Sequence, residues 1–158
     1  MFPSVRWRRP PRQRFAFIHA EWHAEIVLRG RDAFLAGLAR HGVAADAVDV
    51  IAVPGAFEIP LHAQRLARAD QHAAIVACAL VVDGGLYRHE FVADAVIAGL
   101  MRVQLGTDVP VILAKLAPTS FHDHAEHRHF FAEHFVVKGT EAAQACLRTV
   151  ASLRRLTA

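Results

Sequence analysis

Residues Val53-Pro54-Gly55-Ala56-Phe57-Glu58-Ile59-Pro60 decide how this chain is read. They follow Val48-Asp49-Val50-Ile51-Ala52, a short apolar strand signal. A strand that runs into Pro54-Gly55 must stop, since proline has no N–H to give the ladder. Pro60 is then well placed to open a helix. Ala56, Phe57 and Glu58 are left at the carboxyl end of the strand, the edge where parallel α/β sheets bind ligands. Two further segments end strands in the same way, His19-Ala20-Glu21-Trp22-His23 and the run from Val81-Val82-Asp83 through Gly84-Gly85-Leu86-Tyr87-Arg88-His89. Three such turns in one small chain predict one composite site.

Outward from that octapeptide the segments alternate. Phe15 to Ala20 reads as a first strand. Glu25 to His41 reads as an amphipathic helix on Ile26, Gly30, Ala33, Phe34, Gly37 and Leu38, with Gly42 as its stop. Val48 to Val53 is a strand and Ile59 to Arg68 a helix. Ala73 to Val82 is nearly unbroken apolar sequence, as a central strand covered on both faces requires. Glu90 to Leu105 has helical period on Val92, Ala95, Val96, Gly99 and Val103, and Val109 to Leu116 is a fourth strand. A polar, histidine-rich stretch follows, partly helical from Ala125. A terminal helix from Ala142 to Leu156 turns Ala143, Cys146, Leu147, Val150 and Leu153 inward. Four strand–helix alternations predict an α/β chain: a four-stranded parallel sheet between helical layers, with right-handed crossovers. So narrow a sheet leaves edges that invite oligomerisation or strand exchange.

The 158 residues suit one domain, taken as 15–158, and 54% hydrophobic against 21% charged content excludes a disordered chain. No charge-free apolar run reaches the roughly 18 residues that span a bilayer, so no membrane partner is expected. Net charge is only +3, and much of the excess sits in Arg6, Arg8, Arg9, Arg12 and Arg14, broken by Pro10 and Pro11. Residues 1–14 read as a basic arm, solvated or draped on a partner. It has no apolar core of a signal peptide. The remainder balances near neutral and offers no basic face for nucleic acid. Cys78 and Cys146 fall on apolar faces and read as small core residues of a reduced, cytoplasmic protein.

Each candidate group has a bland alternative. Trp22, between Glu21 and His23, is either a loop aromatic resting on a neighbour or a stacking plate for a planar heterocycle, and Phe57 shares the ambiguity. Gly84-Gly85 is either a tight turn or a bare set of N–H groups that favours an anion, with Arg88 supplying charge. His89 is either an idle helix-start residue or a proton shuttle, for which an imidazole is suited. Glu58 is either a first-turn carboxylate favouring the helix dipole or a ligand contact. His122, His124, His127, His129 and His134 match no zinc spacing and read as surface histidines, with Arg128 a phosphate ligand. No G-x-G-x-x-G or P-loop pattern occurs, so dinucleotide binding lacks its basis.

From Phe15 to Val150 the chain resembles the lumazine synthases, and Val53 to Pro60 matches that family's most specific motif almost letter for letter. The resemblance implies a flavodoxin-like three-layer α/β/α sandwich, pentameric association and a site shared between adjacent subunits. It implies that Trp22 stacks on the pyrimidine, and that Ala56, Phe57 and Glu58 line the ribityl side. By the same resemblance Leu80, Val81 and Val82 meet the pyrimidine through backbone hydrogen bonds, His89 donates protons, and Leu113 is a wall from the neighbouring subunit. Many members carry Arg where Asp83 stands, and a Gly-Ala-Thr-Thr-His run where this chain has the longer Gly84 to His89. The phosphate turn is therefore altered around Gly85 and Arg88, and the usual phosphate arginine aligns with His127, beside Arg128. These features resemble the second bacterial type, whose members tend toward decamers of two pentamers.

The implied reaction joins 5-amino-6-(D-ribitylamino)uracil to 3,4-dihydroxy-2-butanone 4-phosphate, releasing phosphate and water. Amine attack, imine formation, phosphate loss and ring closure need proton transfer and orientation, with no cofactor, redox step or metal. The alternative is a non-catalytic oligomer that binds a flavin or lumazine in the same pocket. A flavodoxin-like electron carrier is disfavoured, because Glu21-Trp22-His23 is no hydroxyl-rich phosphate loop.

Overall fold

A computed structural model describes residues 14–82, 88–116 and 124–156. The elements alternate as β1 (Arg14–Ala20), α1 (Ala24–Ala39), β2 (Val48–Val53), α2 (Ile59–Arg68), β3 (His72–Cys78), α3 (His89–Thr107), β4 (Val111–Lys115) and α4 (Ala125–Leu156). All strand pairs are parallel, in the order β2-β1-β3-β4. β1 lies inside the sheet, with β2 on one side, and the chain then crosses to β3 on the other. Such a reversal opens a crevice beyond the carboxyl ends of the strands.

Side chains along the strands alternate between two cores, as the two-residue period of a pleat dictates. Phe15 and Phe17 of β1, with Ala74, Val76 and Cys78 of β3, face α1 and α4 and pack on Phe34, Leu38, Phe131 and Phe135. Ala16 and Ile18, with Ile75 and Ala77, face α2 and α3 and meet Ile59, Ala63, Val96 and Leu100. Both cysteines are buried, and burial pushes each thiol up to about 12, so they are unreactive core residues. This is the α/β sandwich expected from the alternation. No helix among the described residues is long and apolar enough to cross a membrane.

The structure differs from the sequence reading at several places. α4 is one helix of 32 residues rather than a histidine-rich stretch followed by a helix from Ala142. Within that continuous helix Gly139 is a point of close contact. A Cβ there would lie 2.1 Å from the Gly30 carbonyl oxygen, so α1 and α4 cross backbone to backbone. Leu153 is exposed, because α4 runs on beyond its last core contact at Val150. Ala95 is exposed as well, since the buried stripe of α3 is Ala93, Val96, Leu100 and Val103. β3 leaves the ladder after Cys78 although the chain stays apolar to Val82; Val81 N–H turns to the Leu116 carbonyl at 2.7 Å.

β1 begins at Arg14, one residue before the apolar run, and the reason is electrostatic. Arg14 forks onto the carboxylate of Asp49 in β2, and His72 Nε2 of β3 donates to the same carboxylate at 2.7 Å. One anion thus ties together three strands at the end of the sheet opposite the cleft. Arg14 and then His72 hold the Asp49 carboxyl down to about 2. His72 is only 3% exposed and its Nδ1 has no partner among the described residues. Residues 1–13 of the basic arm lie outside the described residues.

Candidate active site

A cleft of about 490 Å³ opens beyond the carboxyl ends of β1, β2 and β3. Adjacent parallel strands bring their exits side by side, and residues following β1, β2 and β3 meet in this cleft. The exit of β1 is held to that of β2 by the Glu21 N–H, which donates to the Val53 carbonyl at 2.8 Å.

The first turn carries Trp22, which lines the cleft and stays 67% exposed. His23 follows in the left-handed conformation, φ 56° and ψ 41°, which costs a residue with a Cβ about 1–2 kcal/mol. Its carbonyl closes the start of α1 by accepting from Ile26 N–H at 2.9 Å and Val27 N–H at 3.0 Å. The second turn is extended at Gly55 and then winds through a 3-10 turn, Ala56–Glu58, into α2. Pro60 stands in the first turn of α2, as predicted, and packs on α3 where a Cβ on Gly99 would come 3.1 Å from it. Glu58 folds its carboxylate back over Gly55, 3.1 Å from where a Cβ would be, and its carbonyl accepts from His62 Nδ1 at 2.8 Å. Phe57 matches Trp22 in being 67% exposed on the cleft. The third exit supplies Leu80 and Val81, both buried, and half-buried Val82.

Trp22, Ala56, Phe57, Glu58, Leu80, Val81 and Val82 therefore share one cavity. Ala20, Pro54 and Gly55 complete its walls, together with His23 and Val92, whose cleft positions the sequence reading missed. Val92 looked like an ordinary core residue of α3, and its place in the first turn of that helix was the available signal. His23 reads in the sequence only as a polar neighbour of Trp22.

Of the remaining candidates, His89, Arg88, Leu113, His127 and Arg128 are not among the residues that line this cavity. His89 opens α3 with a side chain 15% exposed, Nδ1 being 3.6 Å from Glu90 Oε2. Arg88 precedes it and lays its guanidinium over the Phe91 ring, 5.5 Å from the centroid, a cation–π contact. Gly85 lies outside the described residues, with Asp83, Gly84, Leu86 and Tyr87. Leu113 is exposed on the edge strand β4, opposite Ala77. His127 stands in the first turn of α4 with its ring 4.3 Å from that of His124 and edge-on to Phe131. Arg128 forms an ion pair with Glu25 of α1.

The cleft thus offers two exposed aromatic faces, an apolar floor, one carboxylate and one imidazole. That is a receptacle for a planar heterocycle bearing a polar tail, of the volume usual for small-molecule sites. Comparison with known proteins agrees with this chemistry. The profile of the family described as 6,7-dimethyl-8-ribityllumazine synthase matches residues 12–154. A Rhodococcus erythropolis protein named 6,7-dimethyl-8-ribityllumazine synthase is 60% identical over 144 residues, 91% of this chain and 93% of its own. Proteins named 6,7-dimethyl-8-ribityllumazine synthase 2 are similar too. That of Pseudomonas syringae pv. tomato is 53% identical over 94% of this chain and 89% of its own. That of Bradyrhizobium diazoefficiens is 54% identical over 91% and 86%. With a match across nearly its whole length and identities of this size, the chain belongs to the 6,7-dimethyl-8-ribityllumazine synthase family.

Proposed function

We propose that this chain condenses 5-amino-6-(D-ribitylamino)uracil with 3,4-dihydroxy-2-butanone 4-phosphate in the cleft at the ends of β1, β2 and β3. The observation that carries the reading is the convergence of Trp22, Phe57 and Glu58 on one cavity floored by Leu80 and Val81. Trp22 stacks on the pyrimidine. Phe57 and Glu58 receive the ribityl chain, whose hydroxyls a carboxylate accepts from strongly. The Val81 N–H already serves the Leu116 carbonyl, so Val81 meets the ring through its carbonyl oxygen. Leu80 and Val82 flank it.

Catalysis on this reading is largely orientation and proton movement. The 5-amino group attacks the ketone, the imine forms with loss of water, phosphate departs, and the ring closes with a second dehydration. His89 moves protons from the start of α3, and Arg88, with the turn at Gly85, meets the phosphate. His127 and Arg128 are the second candidates for that anion.

The protein works as an assembly of pentamers, as a decamer, in the cytoplasm. What supports assembly is a second apolar stripe on α3. Phe91, Ile97, Met101 and Leu105 are exposed there, on the side away from the core. Leu113 on β4 is exposed as well, which suits a wall donated to a neighbour's cleft. Mixing the two substrates with the purified protein and following lumazine formation tests the reading; a native mass measurement tests the assembly.

A further inference from the structure

Gly55 is a glycine that its own backbone does not require. Its φ of −148° and ψ of −179° are extended, a conformation open to every residue. The reason for glycine is therefore spatial. Beyond its chain neighbours, a Cβ at this position would meet one described atom within 4 Å, the Oε2 of Glu58 at 3.1 Å. That is tighter than the roughly 3.5–4.0 Å at which non-bonded atoms attract best. Gly55 and Glu58 both line the cleft, so the carboxylate lies against a glycine of the cleft wall. Among the described residues no hydrogen bond or ion pair fixes that carboxylate, whereas the Glu58 main chain is held, its carbonyl accepting from His62 Nδ1 at 2.8 Å. Room, rather than a bond, sets where the carboxylate rests.

We propose that Gly55 determines specificity for the polyhydroxyl tail of the pyrimidine: its bare Cα seats the Glu58 carboxylate where a ribityl hydroxyl donates to it. The proposal rests on the reading of the ligand given above. Gly55 is a positioning residue that acts through Glu58. A methyl group at position 55 would displace the carboxylate rather than the backbone, because the main chain is anchored on both sides. Val53 before it accepts from Glu21 N–H at 2.8 Å, and buried Ala56 after it opens the 3-10 turn. Hydrogen bonds tolerate little such displacement. The carboxylate also repels the phosphorylated ketone, which leaves the neutral polyol as the tail that faces it.

Gly55→Ala, Glu58→Ala and the double variant test this, each titrated calorimetrically with two pyrimidines, a ribitylaminouracil analogue and one bearing a plain alkyl chain of equal length. The wild type should prefer the ribityl compound by roughly tenfold or more, as a hydrogen bond to a charged group implies. Gly55→Ala should lose most of that preference yet keep its alkyl affinity within about threefold, since stacking on Trp22 is untouched. In Glu58→Ala the preference is already gone, so adding Gly55→Ala should change neither affinity and should not lower the melting temperature. The double variant keeps the test readable even where Gly55→Ala alone is unstable. Full preference in Gly55→Ala, or equal loss of both ligands, would overturn the role of Gly55. So would a double variant that melts below Glu58→Ala, because the methyl would then strike something other than the carboxylate. A wild type indifferent to the ribityl hydroxyls would overturn the reading of the tail itself.

Discussion

Gly139 of α4 lies so close to Gly30 of α1 that a Cβ on it would sit 2.1 Å from the Gly30 carbonyl oxygen. Backbone cannot swing aside as a side chain can, so Gly139→Ala must push the two helices apart. The expected cost is about 1–3 kcal/mol or more, read as a lower midpoint in urea. Gly106, in the last turns of α3, has no described atom within 4 Å of its would-be Cβ. Gly106→Ala should therefore stabilise by up to about 1 kcal/mol, through helix propensity alone.

That crossing marks the limit of what the sequence discloses. β2 and α2 occur at the bounds read from Val48 to Arg68, because Pro54, Gly55 and Pro60 punctuate the chain through local backbone chemistry. Gly139 is different: its meaning is a contact more than a hundred residues distant, and no local rule separates a helix break from a helix crossing. Arg14 joined β1 for a similarly distant reason, the charge of Asp49. At the site, the three strand exits were legible because the spacing of a parallel sheet brings neighbouring exits together. The directions taken by Arg88 and Arg128 were not, since the Phe91 ring and Glu25 set them.

Asp49 makes stability depend on acid. Its carboxyl titrates at about 2 in the folded protein against an ordinary 3.8, so the unfolded chain binds the proton more readily. The resulting stabilisation is complete above about pH 4 and disappears as pH falls through about 2. In Asp49→Ala this part of the pH dependence of the melting temperature should be missing. At neutral pH the variant should lose about 1–3 kcal/mol, mostly from stranding the buried His72 imidazole. The ion pair itself, with the Asp49 side chain 37% exposed, contributes under about 1 kcal/mol.

Trp22→Ala should weaken binding of a ribitylpyrimidine analogue by about 1–3 kcal/mol, the range of aromatic–base stacking. Trp22→Phe should recover most of the loss, because a smaller plate remains. Calorimetric titration measures both. Unchanged affinity in the alanine variant would make Trp22 a structural residue of the cleft mouth.

Arg88 and Arg128 separate two locations for the phosphate. Arg88→Ala should raise KM for the phosphorylated ketone, with an effect that shrinks as ionic strength rises. KM for the ribitylaminouracil should barely change. If Arg88→Ala leaves the phosphate substrate untouched while His127→Ala or Arg128→Ala damages its kinetics, the anion sits at the start of α4 instead.

Turnover in the cleft beyond β1, β2 and β3 is read most directly from a time course with both substrates on the wild-type protein and His89→Ala. The wild type should release one phosphate for each lumazine formed. His89→Ala should be slower by roughly 10 to 10⁴-fold while still binding the pyrimidine, since acid–base groups typically contribute about 10²–10⁴ and water partly replaces them in an open site. A wild-type protein that binds lumazine or flavin tightly, shifts its fluorescence and consumes neither substrate would instead be a binder.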